Sequence, residues 1–222
     1  VLVYMTIEGL THWTLFDNLT PEERILTPQH GHLPEFVMGL MAFWDIPTGL
    51  LTPSLCDLPM MMHHFAMLAT AAVAHGILSG SKPVLSYTAP FFFGIIEISS
   101  IPLLVVDLFH PKHRAWHVYL TKDAAPNVLT RLNDACRVMF AILFLTFRTI
   151  LFPYVTFFKV LPDLRVVTKL TLEERNDVPN LPLYLMGFLN GFFSFLRMYW
   201  GYVVFRHVLK AFTPKTAKVP KV

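Results

Sequence analysis

The sequence predicts an all-α, polytopic membrane helical bundle of about five to six transmembrane helices. Three observations carry this. The 222-residue chain is 54% hydrophobic and only 15% charged, whereas a soluble domain carries roughly 25% charged residues. The apolar residues collect into runs long enough to cross a bilayer, at about 20 residues each. The polar, turn-forming residues collect between those runs. The spans and their connections use the whole chain, which leaves one main domain, residues 36–208, preceded by an N-terminal partial span and surface segment (1–35) and followed by a basic tail (209–222).

In chain order, residues 1–16 are apolar but broken by Glu8 and His12, which reads as a partial span or interfacial helix. The chain starts at Val1, either as the end of a longer span or as a mature end left after removal of a targeting sequence. Thr20-Pro21-Glu22-Glu23 has the pattern of a capped helix start. Phe36 to about Leu51 is the first clear span, with Asp45 inside it and Pro47 kinking it. Met60–Leu78, Thr88–Leu108, Ala135–Lys159 and Leu181–Val208 are the others. Residues 109–134 are a polar, interfacial stretch with His110, His113 and His117. Thr171-Leu172-Glu173-Glu174 suggests a second capped turn. Lys and Arg are more numerous on the side holding loops 52–59 and 109–134 and the tail, which places the C-terminus in the cytosol or on the equivalent side of an organelle membrane.

Several function classes drop out. A net charge of +3, dispersed along the chain, does not suit a nucleic-acid binder. Cys56 and Cys136 show no metal-ligand spacing and read as small buried thiols. No metal site is expected: His63 and His64 are adjacent, which points them about 100° apart on a helix, and no HExxH partner accompanies them.

What remains is a set of ionisable groups inside apolar runs, where each costs about 2.5 kcal/mol or more unless paired or facing a cavity. His63 and His64 are either a general base or acyl-carrying nucleophile, oriented by Asp45 or Asp57, or an interhelical hydrogen-bonded pair. Glu97 and Arg148 are either a structural ion pair or, with Ser99 and Asn190, the groups that bind a lipid head or carboxylate. Arg197, Tyr199 and Trp200 read as interfacial anchors and snorkelling groups. The central expectation is that His63, His64, Asp45, Glu97, Arg148, Asn190 and Arg197 converge on one wet pocket.

At these residues the chain resembles the TLC-domain family, which includes ceramide synthases and translocating-chain-associating proteins, and it is most similar to the small TLC-domain-containing proteins. The resemblance rests on Phe43-Trp44-Asp45, on Asp57 leading into Met62-His63-His64, on Glu97-Ile98-Ser99-Ser100-Ile101-Pro102, and on Asn133, Phe140 and Arg148 in that order. It covers about residues 36–205. It departs from the synthases after the histidines, where Phe65, Ala66 and Met67 stand in place of more polar residues. The resemblance implies a helical bundle with a lipid-accessible cavity. In the synthase branch it also implies acyl transfer from acyl-CoA, as substrate, to a long-chain amine, with the paired histidines central. No bound cofactor is expected; membrane lipids and other membrane subunits are the expected partners. The location it implies is the endoplasmic reticulum, with an organelle inner membrane as the alternative. The competing reading is a non-catalytic TLC-fold subunit of a large respiratory, photosynthetic or translocation complex that binds structural lipid.

Overall fold

The computed structural model describes residues 1–13, 18–27, 32–52, 56–121 and 128–212. The expected turn at Pro53, Lys122 and the basic tail from residue 213 lie outside the described residues. Among the described residues every regular element is helical. The order is α1 (Leu2–His12), α2 (Pro21–Leu26), α3 (33–51), α4 (Leu58–His75), α5 (Pro90–Leu108), α6 (Arg114–Thr121), α7 (Val128–Val167) and α8 (Asn180–Phe212).

Two of these, α5 and α7, are long and apolar enough to cross a membrane, with mean hydropathies of 2.0 and 1.9 over their best windows. α7 begins seven residues before the expected span and runs eight beyond it, so part of the sequence expected to be loop is helix. α8 has the length, at 33 residues, and the polar residues of its middle, 190–197, are gathered on one side. Asn190, Ser194 and Arg197 are buried, while Phe188, Phe195, Tyr199 and Tyr202 on the other side are exposed. A water-soluble helix has the reverse polarity.

The long helices close a ring. α3 packs on α4, α4 on α8, α8 on α7, α7 on α5 and α5 back on α3, with α1 wedged along α5. That wedge depends on two glycines. Gly9 and Gly94 approach so closely that a Cβ on Gly94 would stand 2.5 Å from the Gly9 Cα. α1 is thus a packed part of the bundle, with Met5, Thr6 and Gly9 buried.

Proline placement explains most of the departures from α-helical geometry. A proline lacks an N–H and crowds the carbonyl four residues before it. Pro47, Pro102, Pro153 and Pro162 would each meet such a carbonyl inside an irregular stretch: π-helical Met41–Asp45, 3₁₀ Ile95–Ser99, π-helical Phe144–Leu151 and π-helical Thr156–Val160, respectively. Such bulges relieve the clash without ending the helix and turn the side chains they contain.

The two polar surface motifs fold as their sequences require. Thr20 and Glu23 form a reciprocal capping box at α2. Thr171 and Glu174 do the same in the loop before α8, at 2.7 and 3.3 Å. The Thr171 backbone N–H and then its hydroxyl hold the Glu174 carboxyl below its ordinary range. α2 is fastened to the end of α7 by Arg24, whose Nε and Nη2 donate to both oxygens of Asp163 at 2.6 and 2.8 Å. Arg24→Ala should lower stability by about 2 kcal/mol through loss of these charge-assisted bonds. Chemical denaturation of the purified chain measures this; an unchanged midpoint would mean the clamp contributes nothing.

Candidate functional site

Inside the ring is a cavity of about 400 Å³, lined by α1, α3, α4, α5, α7 and α8. Its walls are mostly apolar, among them Leu2, Met5, Val37, Leu40, Met67, Leu103, Phe140, Phe144, Trp200 and Val203. Its polar lining consists of Asp45, His63, His64, Glu97, Ser100 and Arg148. The volume lies in the range of small-molecule sites, roughly 300–1,000 Å³.

Three of these polar groups sit in distorted helix, while His63, His64 and Ser100 sit in regular α-helix. Asp45 ends the π-helical turn before Pro47, Glu97 sits in the 3₁₀ stretch before Pro102, and Arg148 sits in the π-helical stretch before Pro153. Asn133, Phe140 and Arg148 are seven and eight residues apart on α7, close to whole turns at 3.6 residues per turn. Of the three, Phe140 and Arg148 line the cavity.

Glu97 and Arg148 form the most highly connected cluster. Arg148 Nη2 lies 2.9 Å from Glu97 Oε1 and donates to Ser100 Oγ at 2.7 Å. Ser100 in turn donates to Glu97 Oε2 at 2.6 Å. Arg148 Nε donates to the Ile96 carbonyl at 3.0 Å. The guanidinium also lies 5.7 Å from the Phe144 ring centroid. Each charge is thus neutralised and hydrogen-bonded, the condition under which an ion pair is tolerated in low dielectric.

The histidines are placed differently. His63 packs edge-on against Phe193 and Trp200, at ring-centroid distances of 5.4 and 5.7 Å, and its ring centroid is 5.8 Å from that of His64. The Nδ1 atoms of both rings are buried without a hydrogen-bond partner among the described residues. Asp45 shares the cavity with His64 and interacts with it electrostatically. Among the described residues, no carboxylate lies within 4.0 Å of either imidazole, so neither ring has the fixed acidic partner of a catalytic dyad.

Other sequence-predicted residues lie elsewhere. Asp57 is exposed at the start of α4 and makes no side-chain cap. It precedes the histidines by nearly two turns and lies outside the cavity lining. Ser99 is fully buried, donating to Ile96 at 3.1 Å; Ser100, one residue on, faces the cavity instead. Asn190 is buried on α8, where its amide donates to the Met186 carbonyl at 2.9 Å, and it borders a separate small void. His75 pairs with Glu35 at 3.3 Å at the far end of α4. Cys56 is exposed, whereas Cys136 is buried.

Arg197 differs most from its expected place. It is 1% exposed and faces the interior, rather than snorkelling to an interface, and Trp200 lines the cavity. The sequence signal was there: Asn190, Ser194 and Arg197 recur at helical spacing among residues that are otherwise large and apolar. Among the described residues no cluster of three or more His, Cys, Asp or Glu side chains forms a metal-binding group.

Compared with known proteins, the chain matches no family model, no curated protein and no solved structure.

Proposed function

We propose that this chain is an integral membrane protein of the TLC type that holds a single-chain lipid in its central cavity. The lipid's apolar chain lies along the Leu, Met, Val and Phe walls, and its polar group lies against His63, His64, Glu97 and Arg148. The observation that carries this reading is the convergence of those groups, from three helices, on one largely apolar cavity of about 400 Å³.

The membrane setting is supported by the apolar exterior. Only 22% of the best window of α7 is buried, whereas a core helix of a soluble protein is mostly buried. Phe43 and Trp44 are 84% and 66% exposed. Polar side chains of α8 face inward, as in helices whose outer face meets lipid. With α3, α4 and α8 also spanning, the bundle has five membrane helices.

In the catalytic form of this reading the lipid is an acyl donor's chain or a long-chain amine. An imidazole of His64 takes the proton from the attacking amine as its nitrogen bonds to the thioester carbonyl of acyl-CoA. The sulfur leaves with the electron pair of the broken C–S bond and recovers a proton. His64→Ala should then lower amide formation at least a hundredfold while leaving lipid retention, measured by mass spectrometry of the purified protein, unchanged. Activity equal to that of the unsubstituted protein would remove the catalytic role and leave lipid binding.

That no carboxylate among the described residues lies within 4.0 Å of either imidazole favours a second reading, a lipid-filled scaffold subunit of a larger membrane assembly. The exposed Phe43 and Trp44 suit a protein neighbour as well as lipid. Migration on a native gel only within a large complex, together with wild-type assembly of the His64→Ala chain, supports that reading.

A further inference from the structure

The charge on Arg197 is not matched by anything around it. Its guanidinium lies over the Phe152 ring, with Cζ 4.5 Å from the centroid. Its Nε and Nη1 are buried and have no hydrogen-bond partner among the described residues. No carboxylate among the described residues comes within 4.0 Å of it. Glu97, the acid whose charge it feels, is occupied by Arg148 at 2.9 Å and Ser100 at 2.6 Å. A guanidinium stays protonated in proteins, and an ion buried without a partner costs several kcal/mol. The Phe152 face offsets only part of this.

Beside the guanidinium is a void of about 10 Å³, bounded by Arg197, Thr70, Asn190 and the rings of Phe92, Phe152 and Phe193. That is room for one particle the size of a water molecule. No acidic side chain borders it. The Thr70 hydroxyl already donates to the Ala66 carbonyl at 2.8 Å. The polar wall is therefore dominated by guanidinium and amide N–H groups, and the rest is aromatic. A water molecule there would satisfy hydrogen bonds but not the charge. A monatomic halide, somewhat wider than water, fits with slight give of the ring walls, whereas a carboxylate or phosphate exceeds the space.

We propose that this void is a binding site for one monatomic anion of halide chemistry, which serves as the counter-ion of Arg197. The anion accepts from the Arg197 N–H groups and the second N–H of Asn190. The site is separate from the lipid cavity and stands independently of the function proposed for it.

The test compares thermal unfolding of the full chain in detergent, in sodium chloride, sodium bromide and sodium gluconate at equal ionic strength. Chloride and bromide should raise Tm saturably over gluconate, by roughly 3 °C at tenfold over half-saturation. Arg197→Met should abolish the difference. Equal Tm in the three salts overturns the proposal, as does a halide effect undiminished in Arg197→Met. Should that variant fail to fold, bromide soaked into crystals of the unsubstituted protein decides. An anomalous peak in the void supports the site, and an empty void at saturating bromide overturns it.

Discussion

Arg148→Leu should destabilise the bundle by about 3–5 kcal/mol, because it leaves the Glu97 carboxylate buried with its main partner gone. Arg148 makes the 2.9 Å contact to Glu97, the 2.7 Å bond to Ser100 and the 3.0 Å bond to the Ile96 carbonyl. Glu97→Leu should cost a similar amount for the mirror reason: a 9% exposed guanidinium is left without its carboxylate. The double replacement should be less destabilised than either single one, since two apolar side chains remove both desolvation costs together. Unfolding midpoints of the four proteins in one detergent measure the cycle. Additive losses would mean that the two groups act independently. The double variant also separates architecture from function: if the pair holds a lipid's polar group, that chain folds yet loses co-purifying lipid.

Gly94→Val should release α1 from the bundle. Even a single Cβ at position 94 meets the Gly9 Cα at 2.5 Å, the Met5 carbonyl oxygen at 2.7 Å and the Gly9 nitrogen at 2.8 Å. All three are backbone atoms, so no rotamer change relieves the contact, and overpacking of this kind costs about 1–3 kcal/mol or more. Gly9 faces the same limit, 2.5 Å from the Ile95 nitrogen. Small residues at a helix crossing let backbones approach in this way. Because Leu2 and Met5 belong to the cavity wall, loss of α1 opens the cavity on one side. Hydrogen exchange of residues 2–12 should rise sharply in Gly94→Val. Gly39→Ala is the control, since a Cβ there meets nothing within 4 Å. Equal protection of residues 2–12 in all three proteins would show that α1 is not held by this crossing.

The helical runs were legible because apolar length and turn residues are local properties. Expected spans at Phe36–Leu51, Met60–Leu78 and Thr88–Leu108 correspond to helices at 33–51, Leu58–His75 and Pro90–Leu108. The ends of α7 were missed because polar residues such as Asn133 and Asp163 read as loop, whereas both are buried against neighbouring helices. Within the candidate site, Asp45, His63, His64, Glu97 and Arg148 were picked out by residue type alone. Ser99 stands out in sequence as the serine of the Glu-x-Ser segment that carries the resemblance, whereas the fold buries Ser99 and turns Ser100 to the cavity.

By itself, then, the sequence determined an all-helical chain with ionisable groups held in apolar runs, because hydropathy and periodicity are written residue by residue. Only the tertiary structure decided where those groups go. It paired Glu97 with Arg148, left His63 and His64 without an acidic partner among the described residues, exposed Asp57 and buried Arg197. Which face of a helix turns inward depends on proline-induced bulges and on the glycine crossing with α1. These rotate side chains by amounts that linear spacing does not encode.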